Sequence, residues 1–139
     1  MNIDYELLCR EALEARLSAY APYSHHLVGA ALLTADGRII RGCNIENAAY
    51  TPTNCAERTA FFKAVSEGER DFVAIAIAGG LEGAELNFCA PCGVCRQVMM
   101  EFANPASFEI ILAKSATEYK IMTLEEMLPF GFGPKDLRG

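Results

Sequence analysis

Residues 72–78 read FVAIAIA, seven apolar side chains without interruption. A strand wet on one face alternates polar and apolar residues, so an unbroken run of this kind calls for a strand covered on both faces. The covers have to come from elsewhere in the chain. Ile3, Leu7, Leu8, Ala12, Ala15 and Leu17 recur at helical spacing over residues 3–19, and Pro22 ends the pattern. Residues 55–68, CAERTAFFKAVSEG, predict a second helix closed by Gly68, and a third should begin at Pro91 or Cys92, where the first helical turn tolerates proline.

Further strands frame the apolar run. LVGAALL and RIIRG, separated by Ala35-Asp36-Gly37, predict a β-hairpin over residues 27–43, followed by a loop through residues 44–54. A loop is expected from Gly79 to Pro91, a strand at 108–113 (FEIILA) and a short one at Lys120-Ile121-Met122. Thr123 and Glu126 then stand in capping-box spacing for a last helix. Strands alternating with helices after an initial hairpin predict an α/β fold, a three-layer α/β/α sandwich on a mixed sheet of about five strands. With 139 residues and 52% apolar content the chain can build one core but not two, so residues 1–139 read as a single domain. Val94, Val98, Met99, Met100, Phe102 and Ala103 spread around most of the third helix, more than one sheet face can cover, which points to a subunit interface.

Charge narrows the range of partners. A net charge of -6 offers no basic surface for neutralising phosphates, so a long nucleic acid is not expected and a small soluble ligand is. The first residues lack the basic flank and apolar stretch of a signal peptide, and no run approaches bilayer-spanning length, so neither a membrane nor secretion is expected and the cytoplasm is the expected location. Six cysteines in such a chain read as reduced thiols rather than a disulfide framework.

Cys55-Ala56-Glu57 falls at the start of the second helix, and Pro91-Cys92-Gly93-Val94-Cys95 at the start of the third, with the buried strand between them. In a βαβ arrangement the two helix N-termini lie side by side at one end of the sheet, so three thiols and one carboxylate converge. Thiolates suit zinc, and three protein ligands leave a fourth tetrahedral position open, as in catalytic rather than structural sites. Three thiolates on a divalent ion leave one net negative charge, which the helix N-termini and the Arg58 cation can draw off. Glu57 is then the natural proton carrier. Two other readings of the thiols remain at this level: a redox pair at Cys92 and Cys95, and a closed structural zinc knot, for which Cys89 is the nearest fourth ligand. Cys9, Cys43 and Cys89 otherwise read as small buried hydrophobes.

The Cys-Ala-Glu and Pro-Cys-x-x-Cys pair is a version, with Cys in place of His, of the zinc-deaminase signature. Together with AYAPYS, VGAALL, GCNIENAAY, NCAERTA, PCGVCRQ and EEMLP, over roughly residues 19–132, the chain resembles the small cytidine deaminases. That resemblance implies one zinc per subunit on Cys55, Cys92 and Cys95, with Arg58 steadying the thiolates. It implies Glu57 as the group passing protons between water, N3 of cytosine and the departing ammonia. It also implies Asn44 and Glu46 on the ribose hydroxyls, and the backbone around Ala56 and Cys89 to Pro91 on the base edge. A homotetramer with shared active sites is implied as well, Phe132 reaching into a neighbour's site. Where many relatives have Phe in Pro-Tyr-Ser-x-Phe, this chain has His26, which changes the polarity of the nucleoside pocket. Cytidine and 2′-deoxycytidine are the expected substrates. A cytosine-bearing antibiotic such as blasticidin S, and a non-catalytic zinc-stabilised assembly module, are the competing readings.

Overall fold

The computed structural model describes residues 2–138. Strands β1 (His26–Thr34), β2 (Ile39–Cys43), β3 (Phe72–Leu81), β4 (Glu109–Ala113) and β5 (Tyr119–Thr123) form one sheet in the order β2-β1-β3-β4-β5. β3 and β4 run parallel and the other neighbours antiparallel, so the sheet is mixed, as expected. The helices are α1 (Tyr5–Ala15), extended by a 3-10 turn at Arg16–Ser18, then α2 (Ala56–Ser66), α3 (Gly93–Phe102), α4 (Leu124–Met127) and α5 (Pro134–Arg138).

The central strand explains the layers. Ala74, Ala76 and Ala78 of β3 face α1 and pack with Leu8, Cys9 and Ala12. Ile75 and Ile77 face the other way, against Ala60 and Phe61 of α2 and Met99 of α3. The run that looked uniform in sequence thus alternates in size, with a methyl face for one close helix and a branched face for two. Even alanine is too large at two contacts. A Cβ on Gly29 of β1 would lie 2.1 Å from the Ala12 carbonyl oxygen, and one on Gly42 of β2 would lie 2.4 Å from that of Ala56. Each glycine lets a helix backbone rest directly on the sheet, α1 on one side and α2 on the other.

The structure departs from the sequence reading in particular places. β3 continues past Ala78 through Gly79, Gly80 and Leu81, which pair with Val28, Leu27 and His26. Gly79 stays bare because a Cβ there would meet the Cys89 thiol and Val28, both at 2.9 Å. Leu7 and Leu17 do not join the buried stripe of α1: Leu8, Cys9, Ala12 and Ala15 do, and the switch to a 3-10 turn leaves Leu17 74% exposed. α3 starts at Gly93, with Cys92 as its N-cap. The α4 capping box forms as expected, the Glu126 N–H donating to Thr123 Oγ1 at 3.2 Å and the Thr123 N–H to Glu126 Oε1 at 2.8 Å. Such a cap contributes about 1 kcal/mol. Among the described residues no helix is long and apolar enough to cross a membrane.

Candidate functional site

α2 and α3 lie on the same face of the sheet, and a cysteine immediately precedes each. Cys55 is the N-cap of α2 and Cys92 that of α3, each in extended backbone and neither using its side chain to cap. Cys95 is buried in the first turn of α3. The three Sγ atoms lie within 4.8 Å of one another, with Cys55 and Cys92 3.9 Å apart. Thiolates on corners of a tetrahedron around zinc stand about 3.8 Å apart, given the usual zinc–sulfur distance. The donor set and its spacing therefore fit zinc, and among the described residues this is the one cluster of three or more ligand-type side chains. Among the described residues Cys89 is not part of the cluster, which offers three sulfur ligands.

Two charged residues of α2 complete the centre. Arg58 donates from Nη2 to Cys55 Sγ at 3.2 Å, while its buried Nε has no partner. Burial opposes the guanidinium charge, but hydrogen bonds to Cys55 and Cys95 outweigh it and hold the cation. The Cys95 thiol and then Arg58, working against burial, pull the Cys55 thiol down, and Cys95 is pushed up by its bond to Cys55 and by burial. Glu57 is only 4% exposed, and burial raises its carboxyl to about 7. A carboxyl poised near neutrality can both take and return a proton. Cys89, wedged over Gly79, lies close enough to feel Glu57 and Cys55, and burial with those charges lifts its thiol to about 11. It is a half-buried thiol outside the ligand cluster.

Residues 2–108 match the model of the cytidine and deoxycytidylate deaminase zinc-binding region. The chain belongs to this deaminase family. It is 50% identical over 135 residues to a cytidine deaminase of Sporosarcina psychrophila, covering 97% of this chain and 96% of that one. It is 49% identical to the cytidine deaminase of Halalkalibacterium halodurans, at 97% and 98% coverage. A crystal structure of cytidine deaminase from Burkholderia pseudomallei superimposes with a TM-score of 0.81 at 45% identity, over 91% of this chain and 97% of that one. Likeness over nearly full length on both sides establishes the deaminase fold as well as the family.

Around the zinc site of this deaminase the other expected residues fall into distinct places. Ala56, fully buried, is the first residue of α2, so its N–H is among those with no partner inside the helix. Asn44 follows β2 and is largely buried. Its Oδ1 accepts from the Val28 N–H at 2.9 Å and its Nδ2 donates to the His26 carbonyl at 2.8 Å, so it ties the start of β1 in place. His26 shares the α2 side of β1 with Val28 and Ala30, and lines a cavity of about 510 Å³ with Gly79, Leu81, Phe88 and Cys89. Glu46 lines a second cavity, of about 360 Å³, with Tyr23, Tyr50 and Thr53. It accepts from the N–H groups of Tyr23 and Ser24 at 3.0 and 3.1 Å and from the Ser24 hydroxyl, which holds its carboxylate below the usual range. Phe132 lies on the C-terminal segment, 56% exposed, with its carbonyl accepting from Gln97 Nε2 at 2.8 Å.

Sequence reasoning passed over Ser24, Gln97 and Arg96. Ser24 had one signal, its place in the AYAPYS block, and Arg96 and Gln97 had theirs in PCGVCRQ. Nothing in periodicity marks the partner of Arg96 or Gln97, a backbone carbonyl 31 or 35 residues away.

Proposed function

We propose that this chain hydrolyses the 4-amino group of cytidine and 2′-deoxycytidine, releasing ammonia and the corresponding uridines, with one zinc per subunit on Cys55, Cys92 and Cys95. The observation that carries the reading is a buried carboxyl, Glu57, two residues after one ligand of an open three-thiol cluster on paired helix N-termini. Bound zinc supplies a Lewis acid that brings the pKa of water towards neutrality. Glu57 takes a proton from water and delivers it to N3 as oxygen adds to C4. It then carries the remaining hydroxyl proton to the amine, so the C4–N bond breaks and neutral ammonia leaves. Arg58 shares the negative charge of the thiolates.

Substrate orientation falls to groups with spare hydrogen-bonding capacity. The Ala56 N–H is free to meet the base carbonyl. Asn44 keeps one Nδ2 hydrogen and one Oδ1 lone pair after holding β1, and we assign these, with the ionised Glu46 carboxylate, to the ribose hydroxyls. His26 offers a ring to pack on the nucleoside together with a donor or acceptor. The six free cysteines, three of them needed unoxidised, suit the cytoplasm.

The purified chain is expected to carry one zinc and to bleach the ultraviolet absorbance of cytidine. Removing the metal with a chelator should stop turnover, and one equivalent of zinc should restore it. Full zinc content with an unchanged cytidine spectrum would overturn the assignment in favour of an assembly module.

The quaternary reading rests on apolar surface. Val94 on α3, together with Phe130, Phe132 and Leu137 of the C-terminal segment, is exposed, Phe130 completely. We assign this surface to further copies of the chain in a homotetramer, with Phe132 entering a neighbour's site. Sedimentation at micromolar concentration should give four chains per particle, and Phe132→Ala should raise KM for cytidine. A fully active monomer contradicts this arrangement.

A further inference from the structure

The two residues directly after the last thiol ligand tie the metal-binding helix to the C-terminal segment. Arg96 donates from Nε to the Pro91 carbonyl at 2.7 Å and from Nη1 to the Met127 carbonyl at 2.6 Å. Pro91 is fully buried and immediately precedes Cys92. Met127 ends α4, so its carbonyl is one of those a helix terminus leaves without an internal partner. One rigid guanidinium fork thus joins the turn that presents Cys92 to the end of another helix. Gln97 makes a second tie, to the Phe132 carbonyl. Between these two anchors stands Phe130, in left-handed backbone at φ 55°. A non-glycine residue there is strained and persists only where its surroundings over-determine it. Arg96 and Gln97 hold the strained stretch at both ends.

We propose that Arg96 and Gln97 are positioning residues that clamp residues 127–132 onto α3, Arg96 fixing the Pro91–Cys92 turn for metal retention and Gln97 fixing Phe132 for substrate. The Gln97 half rests on the placement of Phe132 given above; the Arg96 half does not. Neither side chain needs to touch zinc or nucleoside. Each acts by holding a backbone carbonyl on which a functional side chain depends.

Transfer of zinc from the intact enzyme to a chromogenic chelator tests the first half. Arg96→Met should release zinc about tenfold faster than the parent or more, as expected for loss of a group that orients a ligand. Arg96→Lys keeps the charge but not the fork, and should fall between the two. It also decides the matter if the Met variant does not fold. Parental release from the folded Arg96 variants overturns the first half. For the second half, Gln97→Met should keep the parental zinc-release rate and kcat within about twofold while KM for cytidine rises about tenfold, a cost of displaced contact geometry. Combined with Phe132→Ala it should add nothing further, because both changes remove one interaction. An unchanged KM, or additive effects, overturns this half. Failure of the cytidine reading itself would appear as an inactive parent, with the zinc-release comparison still readable.

Discussion

Glu57→Gln is expected to lower kcat on cytidine by about 10²–10⁴-fold, the range general acid–base catalysis supplies, while zinc remains bound at parental stoichiometry. The amide has the shape of the acid but cannot take up a proton and release it again. Glu57 is not among the three clustered sulfur ligands, so the metal should not notice its loss. Folding should not suffer either. Burial raises the Glu57 carboxyl to about 7, which means the folded protein disfavours the charged form. A neutral amide is cheaper to bury, so the melting temperature should equal or exceed that of the parent. Steady-state kinetics, metal analysis and a thermal melt on one preparation check the three parts. Near-parental kcat would remove Glu57 from the proton path, and lost zinc would make it a structural support instead.

Gly42→Val is expected to have the second large effect, on stability and metal together. A Cβ at this position would lie 2.4 Å from the Ala56 carbonyl oxygen and 2.5 Å from the Ala60 nitrogen. Both are helix backbone atoms, so no side-chain rotation relieves the clash and α2 has to shift as a body. Cys55 and Glu57 then move away from Cys92 and Cys95, which ride on α3. Overpacking of this kind costs about 3 kcal/mol, or a fall in melting temperature of about 10 °C for a chain of this size. Gly29→Val supplies the control. It drives the same kind of clash into α1 on the opposite face, at 2.1 Å from the Ala12 carbonyl oxygen. It should destabilise as strongly, yet its folded fraction should bind zinc at parental affinity, because α1 carries no ligand. Equal zinc affinity in both variants would show that the seat of α2 on Gly42 does not set the metal geometry.

Some of this protein can be read from its sequence, for physical reasons. The starts of α2 and α3 are legible because Cys55 and Cys92 sit at positions where local signals, a proline and an apolar phase, mark helix ends. The metal cluster follows once two such starts flank one buried strand. The end of β3 is not legible, since Gly79-Gly80 reads as a loop and becomes strand only through pairing with Val28 and Leu27 across the sheet. The role of Asn44 is likewise a long-range matter. A sequence shows an amide beside a strand end, whereas the structure shows it bonded to the backbone of Val28 and His26, sixteen and eighteen residues earlier. Ser24 under Glu46, and Arg96 on Met127, belong to the same class. Periodicity reports which face a residue takes, and only the folded chain reports whom it meets.

At the start of α2 and of α3 stands a cysteine whose side chain leaves the helix N–H groups uncapped. A serine or aspartate there would contribute about 1 kcal/mol to each helix. Both helices forgo that fastening, and the thiols released from it converge on a single point. One ion can then serve as a common rivet for two otherwise loose helix ends, so loading the metal and firming the first turns of α2 and α3 become the same event.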